Sequence, residues 1–255
     1  MRIPVVHHAA RRRRAARRRV ARTGGELLVT VGVVLMLLVV HQLWWTNLEA
    51  RQGAERKVQA LEREWGGPGG PSGSPVIGSG GTSDAVSGTT GTSPRRRRAV
   101  AARPVRSQAY AVLAVPRLSL RAPVAEGISR TGVLNKGYVG HYPGTAQPGQ
   151  AGNFAVAGHR NTHGEPFRHL DRLRPGDSVV VETRSTTYTY VVDQVLSRTS
   201  AADGGVLAPV PRSRVSPSHG YDRGGYYLTL TTCTPEFTSR YRLVVWGVLA
   251  SARPR

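Results

Sequence analysis

The stretch YYLTLTTCTPEFTSRYRLVVWGVL, residues 226–249, decides how the rest of this chain reads. Tyr226–Thr232 is strongly β-prone and alternates large and small side chains, and Tyr241–Leu249 is a second run of similar texture. The two runs predict paired strands around a loop that begins at Thr234-Pro235. A hairpin would return Arg242, at the opening of the second strand, close to Cys233, at the end of the first. A strand end is rigid, and a side chain there can emerge at the mouth of a barrel. Cys233 is the chain's one cysteine, so an internal disulfide and a Cys-rich metal site are both excluded. A lone cysteine is by default a small buried apolar residue. Its neighbours argue here for a nucleophile.

Upstream, the same texture begins at about Val105. Short β-rich runs recur between turn signals: Ala111–Val115 before Pro116, Asn153–Ala157 leading into Gly158-His159, Ser178–Glu182 after Arg174-Pro175-Gly176-Asp177, and Thr186–Val195. Helical pattern is confined to a turn near Thr131–Asn135 and the segment Pro166–Leu173. Many short strands over residues 105–255 predict a mainly β domain, a closed barrel or a sandwich. The strand order is not legible in the pattern.

The N-terminal part has a different composition. Leu27–Val40 (LLVTVGVVLMLLVV) carries no charge, and Leu43, Trp44 and Trp45 extend it beyond His41 and Gln42. At 1.5 Å per residue Leu27–Trp45 spans roughly 28 Å, the thickness of a bilayer core. Trp44 and Trp45 suit the interfacial aromatic belt. No small-x-small cleavage site directly follows, so the reading is a retained anchor over 26–46 rather than a signal peptide. Nine arginines precede the span within residues 1–25, whereas charges nearly balance after it. The positive-inside rule then leaves the Arg-rich tail in the cytoplasm and everything past Trp45 outside. Within 47–104, residues 48–65 show helical spacing, with Ala54, Val58, Leu61 and Trp65 on one face. Residues 66–94 are Gly, Ser, Thr and Pro-rich, cannot bury enough apolar surface to fold, and predict a flexible tether ending at Arg95–Arg98. Its coil span is roughly 30 Å.

The net charge of +21 in 255 residues raises the question of nucleic acid. The basic clusters are not interleaved with aromatics and sit in no nucleic-acid module, so membrane lipid is the partner expected for them. No acidic cluster demands calcium, and the spacing HRNTH at 159–163 has no partner pair on a helix, so no metal or cofactor is called for.

Taken together, Thr229-Leu230-Thr231-Thr232-Cys233, Arg242 nine residues on, and His159 in AVAGHRNTHGEPF resemble the sortase family. Its hallmark is a TLxTC run followed by an Arg, with a His on an earlier loop. Gly140-His141-Tyr142-Pro143-Gly144-Thr145, Asn153–Arg160 and Thr231–Pro235 look most like the class E sortases of actinobacteria. The resemblance covers about residues 110–250; Tyr138-Val139 departs from it, where a Pro is expected before Gly140-His141. It implies an eight-stranded sortase-type barrel displayed on an anchor and linker. It also implies a cysteine transpeptidase that cleaves a Leu-Ala-x-Thr-Gly sorting signal after Thr and passes the acyl group to a peptidoglycan-precursor amine. Surface proteins bearing that signal are the implied substrates.

In these terms Cys233 is the nucleophile, His159 the general acid and base, and Arg242 the donor to the substrate carbonyl or oxyanion. Tyr142 is a candidate to contact the signal's Ala, and Thr232 a candidate to position the substrate backbone. His141, His163, His169 and His219 compete with His159, with His163 and His219 expected on exposed loops. Ordinary pKa values of about 8.5 for a thiol and about 6.5 for an imidazole leave both groups mostly neutral at pH 7, so the thiolate–imidazolium pair would be a minority form. Rival readings are a hydrolytic cysteine endopeptidase, a non-catalytic wall-binding barrel, and an L,D-transpeptidase-like enzyme. The last expects Gly before the Cys and Arg directly after it, where this chain has Thr232 and Thr234.

Overall fold

The computed structural model describes residues 8–66 and 104–255. The expected tether 66–94, apart from Gly66, and the cluster Arg95–Arg98 lie outside the described residues.

One helix, α1, runs unbroken over His8–Gly66. Its apolar stretch turns large side chains outward on all sides, with Leu28, Met36 and Trp44 each more than 60% exposed. It is long and apolar enough to cross a membrane.

The chain divides into two compact units, Met1–Leu48 and Glu49–Arg255. The second contains eight strands: β1 Ala109–Val115, β2 Leu120–Glu126, β3 Val139–His141, β4 Gly152–Ala157, β5 Ser178–Thr183, β6 Thr186–Ser200, β7 Tyr226–Thr234 and β8 Tyr241–Pro254. They close into a barrel in the order β1-β2-β3-β4-β7-β8-β6-β5, with β5 returning to β1. Two neighbouring pairs, β2/β3 and β4/β7, are parallel and the rest antiparallel. The expected closed eight-stranded, mainly β architecture is therefore present. Two strands escaped the sequence reading. In β2, Pro123 lacks an N–H and weakens the pattern, and β3 is only three residues long with a central glycine. The expected helical segments shrink to 3₁₀ turns at Leu134–Lys136 and Leu170–Arg172.

Period-2 alternation builds the core. Leu113 and Val115, Phe154 and Val156, Val179 and Val181, Leu228 and Leu230, and Leu243 and Val245 all point into one cluster, closed by Phe167, Leu170 and Leu173 from the segment after β4. The alternate residues face outward and acquire two separate covers. Over β8, Val244 and Trp246 meet Val206 and Leu207 from the β6–β7 connection. Over β1 and β2, Val58 and Leu61 of α1 meet Ala109, Val112, Ala125 and Val133. Ala50, Ala54, Val58 and Leu61 form one buried stripe at i, i+4, i+8 and i+11, so the helical face expected over 48–65 is a docking face for the barrel wall. Burying Leu61, which is 3% exposed, stabilises the docked helix by about 1.5–3 kcal/mol.

Candidate active site

The site is set by strand register. In β7, Leu228 and Leu230 point inward, so Thr229, Thr231 and Cys233 point out; in β8, Leu243 and Val245 point inward, so Arg242 points out. Cys233 and Arg242 are direct register partners across the β7/β8 pair. The strand runs one residue past the cysteine, to Thr234, and the thiol lies on the outer face of the wall rather than in the barrel mouth.

His159 arrives from the other side. β4 runs parallel to β7 with Ala157 opposite Thr231. Two bonds extend that register past the end of β4: Gly158 N–H donates to Thr231 O at 3.2 Å, and Thr232 Oγ1 donates to Gly158 O at 2.8 Å. His159 follows directly, in the loop that leaves β4 beside the strand end that carries Cys233. His159, Cys233 and Arg242 therefore come in one row from three neighbouring segments, the loop at the end of β4, β7 and β8.

The histidine has its own supports. Its Nε2 lies 3.0 Å from Asn135 Oδ1, and its ring stacks on His163 with centroids 5.4 Å apart. With Asn135 Oδ1 as acceptor, Nε2 carries the proton and the Nδ1 lone pair is the basic site of the neutral ring. Burial, then His163, then Arg130 lower the His159 pKa from its ordinary value, so the neutral form dominates at pH 7. Arg242 Nη1 donates to Ser239 O and Tyr241 O at 2.8 and 2.9 Å, which anchors one edge of the guanidinium. No other hydrogen bond engages that guanidinium among the described residues, so Nε and Nη2 stay available as donors.

Beside this row is a cleft of about 120 Å³ lined by Tyr142, Thr231, Arg242, Ala201, Ala202 and Asp203. Tyr142 bonds through its hydroxyl to Thr231 Oγ1 at 3.1 Å. Asp203 accepts from Thr199 Oγ1 at 2.7 Å, Ser213 Oγ at 2.6 Å and Arg214 N–H at 3.0 Å, and so shapes the start of the β6–β7 connection that walls the cleft. Thr232, by contrast, is buried on the inward face with its hydroxyl committed to Gly158.

The other histidines separate by environment. His141 is fully buried; its Nδ1 lies 2.8 Å from Glu126 Oε2 and 3.0 Å from Tyr110 Oη, and its Nε2 lies 2.9 Å from Thr145 Oγ1 and 3.1 Å from Ala146 O. It pins the turn that presents Tyr142. His163 and His219 were expected on exposed loops, but both are half-buried, and His163 is the stacking partner of His159. His169 is half-buried in the segment after β4.

Sequence reasoning missed three supports. Arg160, 7% exposed, donates to Thr234 Oγ1 at 3.0 Å and to Cys233 O at 3.4 Å, and pairs with Asp171 at 3.4 Å. It ties the histidine loop to the strand end that carries the thiol. Asn135 and Asp203 are the others. No local pattern marks them, because their partners are distant in sequence or across a long loop.

Comparison with known proteins points to one family. The sortase domain family matches residues 113–250. Sortase SrtE1 of Streptomyces coelicolor is 40% identical over 220 residues, covering 84% of this chain, and this chain spans about half (53%) of that protein's length. Sortase SrtE2 of the same organism is 34% identical, with 82% of this chain and 74% of that one aligned. A crystal structure of sortase E1 from Streptomyces coelicolor with a tripeptide in the active site is 47% identical, with a TM-score of 0.55 over 60% of this chain and 94% of that one. Sortase E from Streptomyces avermitilis is 44% identical, with a TM-score of 0.52 over 59% and 93%. Barrel, matched domain and solved neighbours concur: this chain belongs to the sortase family.

Proposed function

We propose that this protein is a membrane-anchored cysteine transpeptidase that cleaves a Leu-Ala-x-Thr-Gly-type sorting signal between Thr and Gly and transfers the acyl group to a peptidoglycan-precursor amine. The observation that carries the reading is the row of His159, just past the end of β4, Cys233 on β7 and Arg242 on β8. Cys233 Sγ, as thiolate, attacks the Thr carbonyl. Arg242 Nε and Nη2 stabilise the charge that develops on the carbonyl oxygen. Protonated His159 gives its proton to the departing Gly amine, which leaves a thioacyl enzyme. The acceptor amine then attacks the thioester, neutral His159 takes its proton, and the thiolate departs. His159 is mostly neutral at pH 7, so the imidazolium that this step uses is a minority form.

Tyr142 lines the cleft beside Arg242 and is assigned to the signal's Ala. Thr232 serves the substrate indirectly, through the Gly158 carbonyl and hence His159. Sortase E1 of Streptomyces coelicolor holds a tripeptide in its active site, which fits a peptide substrate here. The arginines that precede the apolar span of α1 support a cytoplasmic N-terminus, with the catalytic unit outside the cell membrane. The substrates are then surface proteins bearing the signal.

The test is mass spectrometry of products formed by the full chain in detergent from a Leu-Ala-x-Thr-Gly peptide and glycine-type amines. A Thr-amine conjugate that vanishes in Cys233→Ala is the expected result. Hydrolysis alone, with every amine tried, establishes an endopeptidase. Absence of cleavage, with Cys233 inert to alkylation, establishes a non-catalytic barrel.

A further inference from the structure

The docked part of α1 reaches the two segments that support His159. Asn135, whose amide oxygen meets His159 Nε2, sits in the 3₁₀ turn that ends at Gly137. There the backbone of α1 comes close: a Cβ on Gly137 would stand 2.8 Å from Ala50 O, and Gly137 adopts φ +76°. The second support is His163, which stacks on the catalytic ring and begins the sequence His163-Gly164-Glu165. All three residues are left-handed, with φ of 53°, 84° and 52°. For His163 and Glu165 that conformation is costly, and such strain persists only where surroundings over-determine it.

Arg51 of α1 supplies part of that constraint. Its Nε donates to Gly164 O at 3.3 Å and its Nη2 to Glu165 Oε2 at 3.0 Å, on a carboxylate that is 5% exposed and also accepts from Arg168 at 2.6 Å. Helix, Asn135 turn and His163 loop thus form one continuous contact that ends on the imidazole.

We propose that Arg51 is a positioning residue for His159, through Gly164 and Glu165, so that the docked end of the anchor helix is part of the catalytic unit rather than a stalk beneath it. The consequence is that a change in how α1 docks is transmitted to the histidine. The inference rests on His159 being the acid–base residue of the proposed function only for its kinetic effect; the geometric coupling stands apart from it.

The test uses the full chain in detergent micelles. Arg51→Ala removes both bonds, and Arg51→Lys keeps one donor for Glu165. Arg184→Ala breaks an ion pair with Glu64 near the far end of the docked segment and serves as control. The readout that needs no activity is the His159 imidazole resonance in a pH titration. In Arg51→Ala it moves, and its midpoint rises toward the ordinary histidine value as water reaches the ring; in Arg184→Ala neither changes; in Arg51→Lys the shift is intermediate. With sorting-signal peptide, Arg51→Ala lowers kcat about tenfold with KM within about twofold, the pattern of a lost transition-state arrangement. An unmoved His159 resonance in Arg51→Ala overturns the proposal, whatever the activity. So do equal shifts in Arg51→Ala and Arg184→Ala, which would report general loosening. A moved resonance in a protein whose wild type cleaves nothing upholds the coupling and overturns the proposed function instead.

Discussion

Cys233 on β7 and Arg242 on β8 are opposite one another in register, on the outer face of the barrel wall. The relation follows from an unbroken antiparallel pair between Tyr227/Val248 and Thr234/Tyr241. Its consequence is that a guanidinium held at one edge by Ser239 and Tyr241 carbonyls belongs to the residue directly opposite the cysteine, on the same face. Arg242→Ala is therefore expected to lower kcat/KM about 10²–10³-fold, the usual loss for one oxyanion donor. Arg242→Lys recovers only part of that, because an ammonium cannot satisfy both backbone carbonyls and still present two donors. Steady-state cleavage of a fluorogenic sorting-signal peptide measures both.

Thr232→Val separates direct from indirect action. The hydroxyl donates to Gly158 O, which fixes the two-residue extension from β4 to His159. The substitution should cost about 1 kcal/mol of stability. It should lower kcat with little change in KM. A rise in KM alone would place the hydroxyl on the substrate.

His159 has a pH signature in stability as well as in rate. Its folded pKa is below 6.5, mainly because the ring is buried. The unfolded chain therefore takes up a proton that the folded ring resists as pH falls below 6.5, and stability declines through that window until the folded pKa is passed, below which the loss is constant. His159→Gln removes the contribution. The gap in urea midpoint between variant and wild type, followed with pH, should change across that window and be flat above it.

Arg160→Ala should destabilise the barrel by about 2–3 kcal/mol. The guanidinium is nearly buried and spans Thr234, Cys233 O and Asp171, so truncation leaves the end of β7 untied from the histidine loop. Chemical denaturation gives the loss, and a faster alkylation of Cys233 in the folded protein should accompany it.

Asp203 predicts acid sensitivity of the cleft wall. Burial alone would raise its pKa, but the bonds from Ser213, Thr199 and the Arg214 and Val215 N–H groups outweigh that and hold it below the ordinary 3.8. Its stabilisation is thus complete above 3.8 and is lost as pH falls from there through the folded pKa. Asp203→Asn should lose this acid-dependent component, and proteolysis of the 201–225 connection should report the opened wall.

The mainly β class of structure, and the residues proposed for the chemistry, were legible in local sequence patterns. The β-prone runs at 226–232 and 241–249, the lone cysteine and the Gly158-His159 sequence are local patterns, legible because strand propensity and side-chain alternation act over a few residues. The apolar span and the stripe Ala54, Val58, Leu61 were legible for the same reason. What covers that stripe was not, since a helical face says only that it needs an apolar partner. The parallel pairing of β4 with β7 was not legible; it brings the His159 loop to the strand of a cysteine 74 positions later. Tertiary structure likewise decided that the thiol faces outward, that Asn135 and Arg160 brace the row, and that Arg51 ends on the histidine loop. These are pairings between distant segments, and they form only when closing the barrel settles which edges meet and in what register.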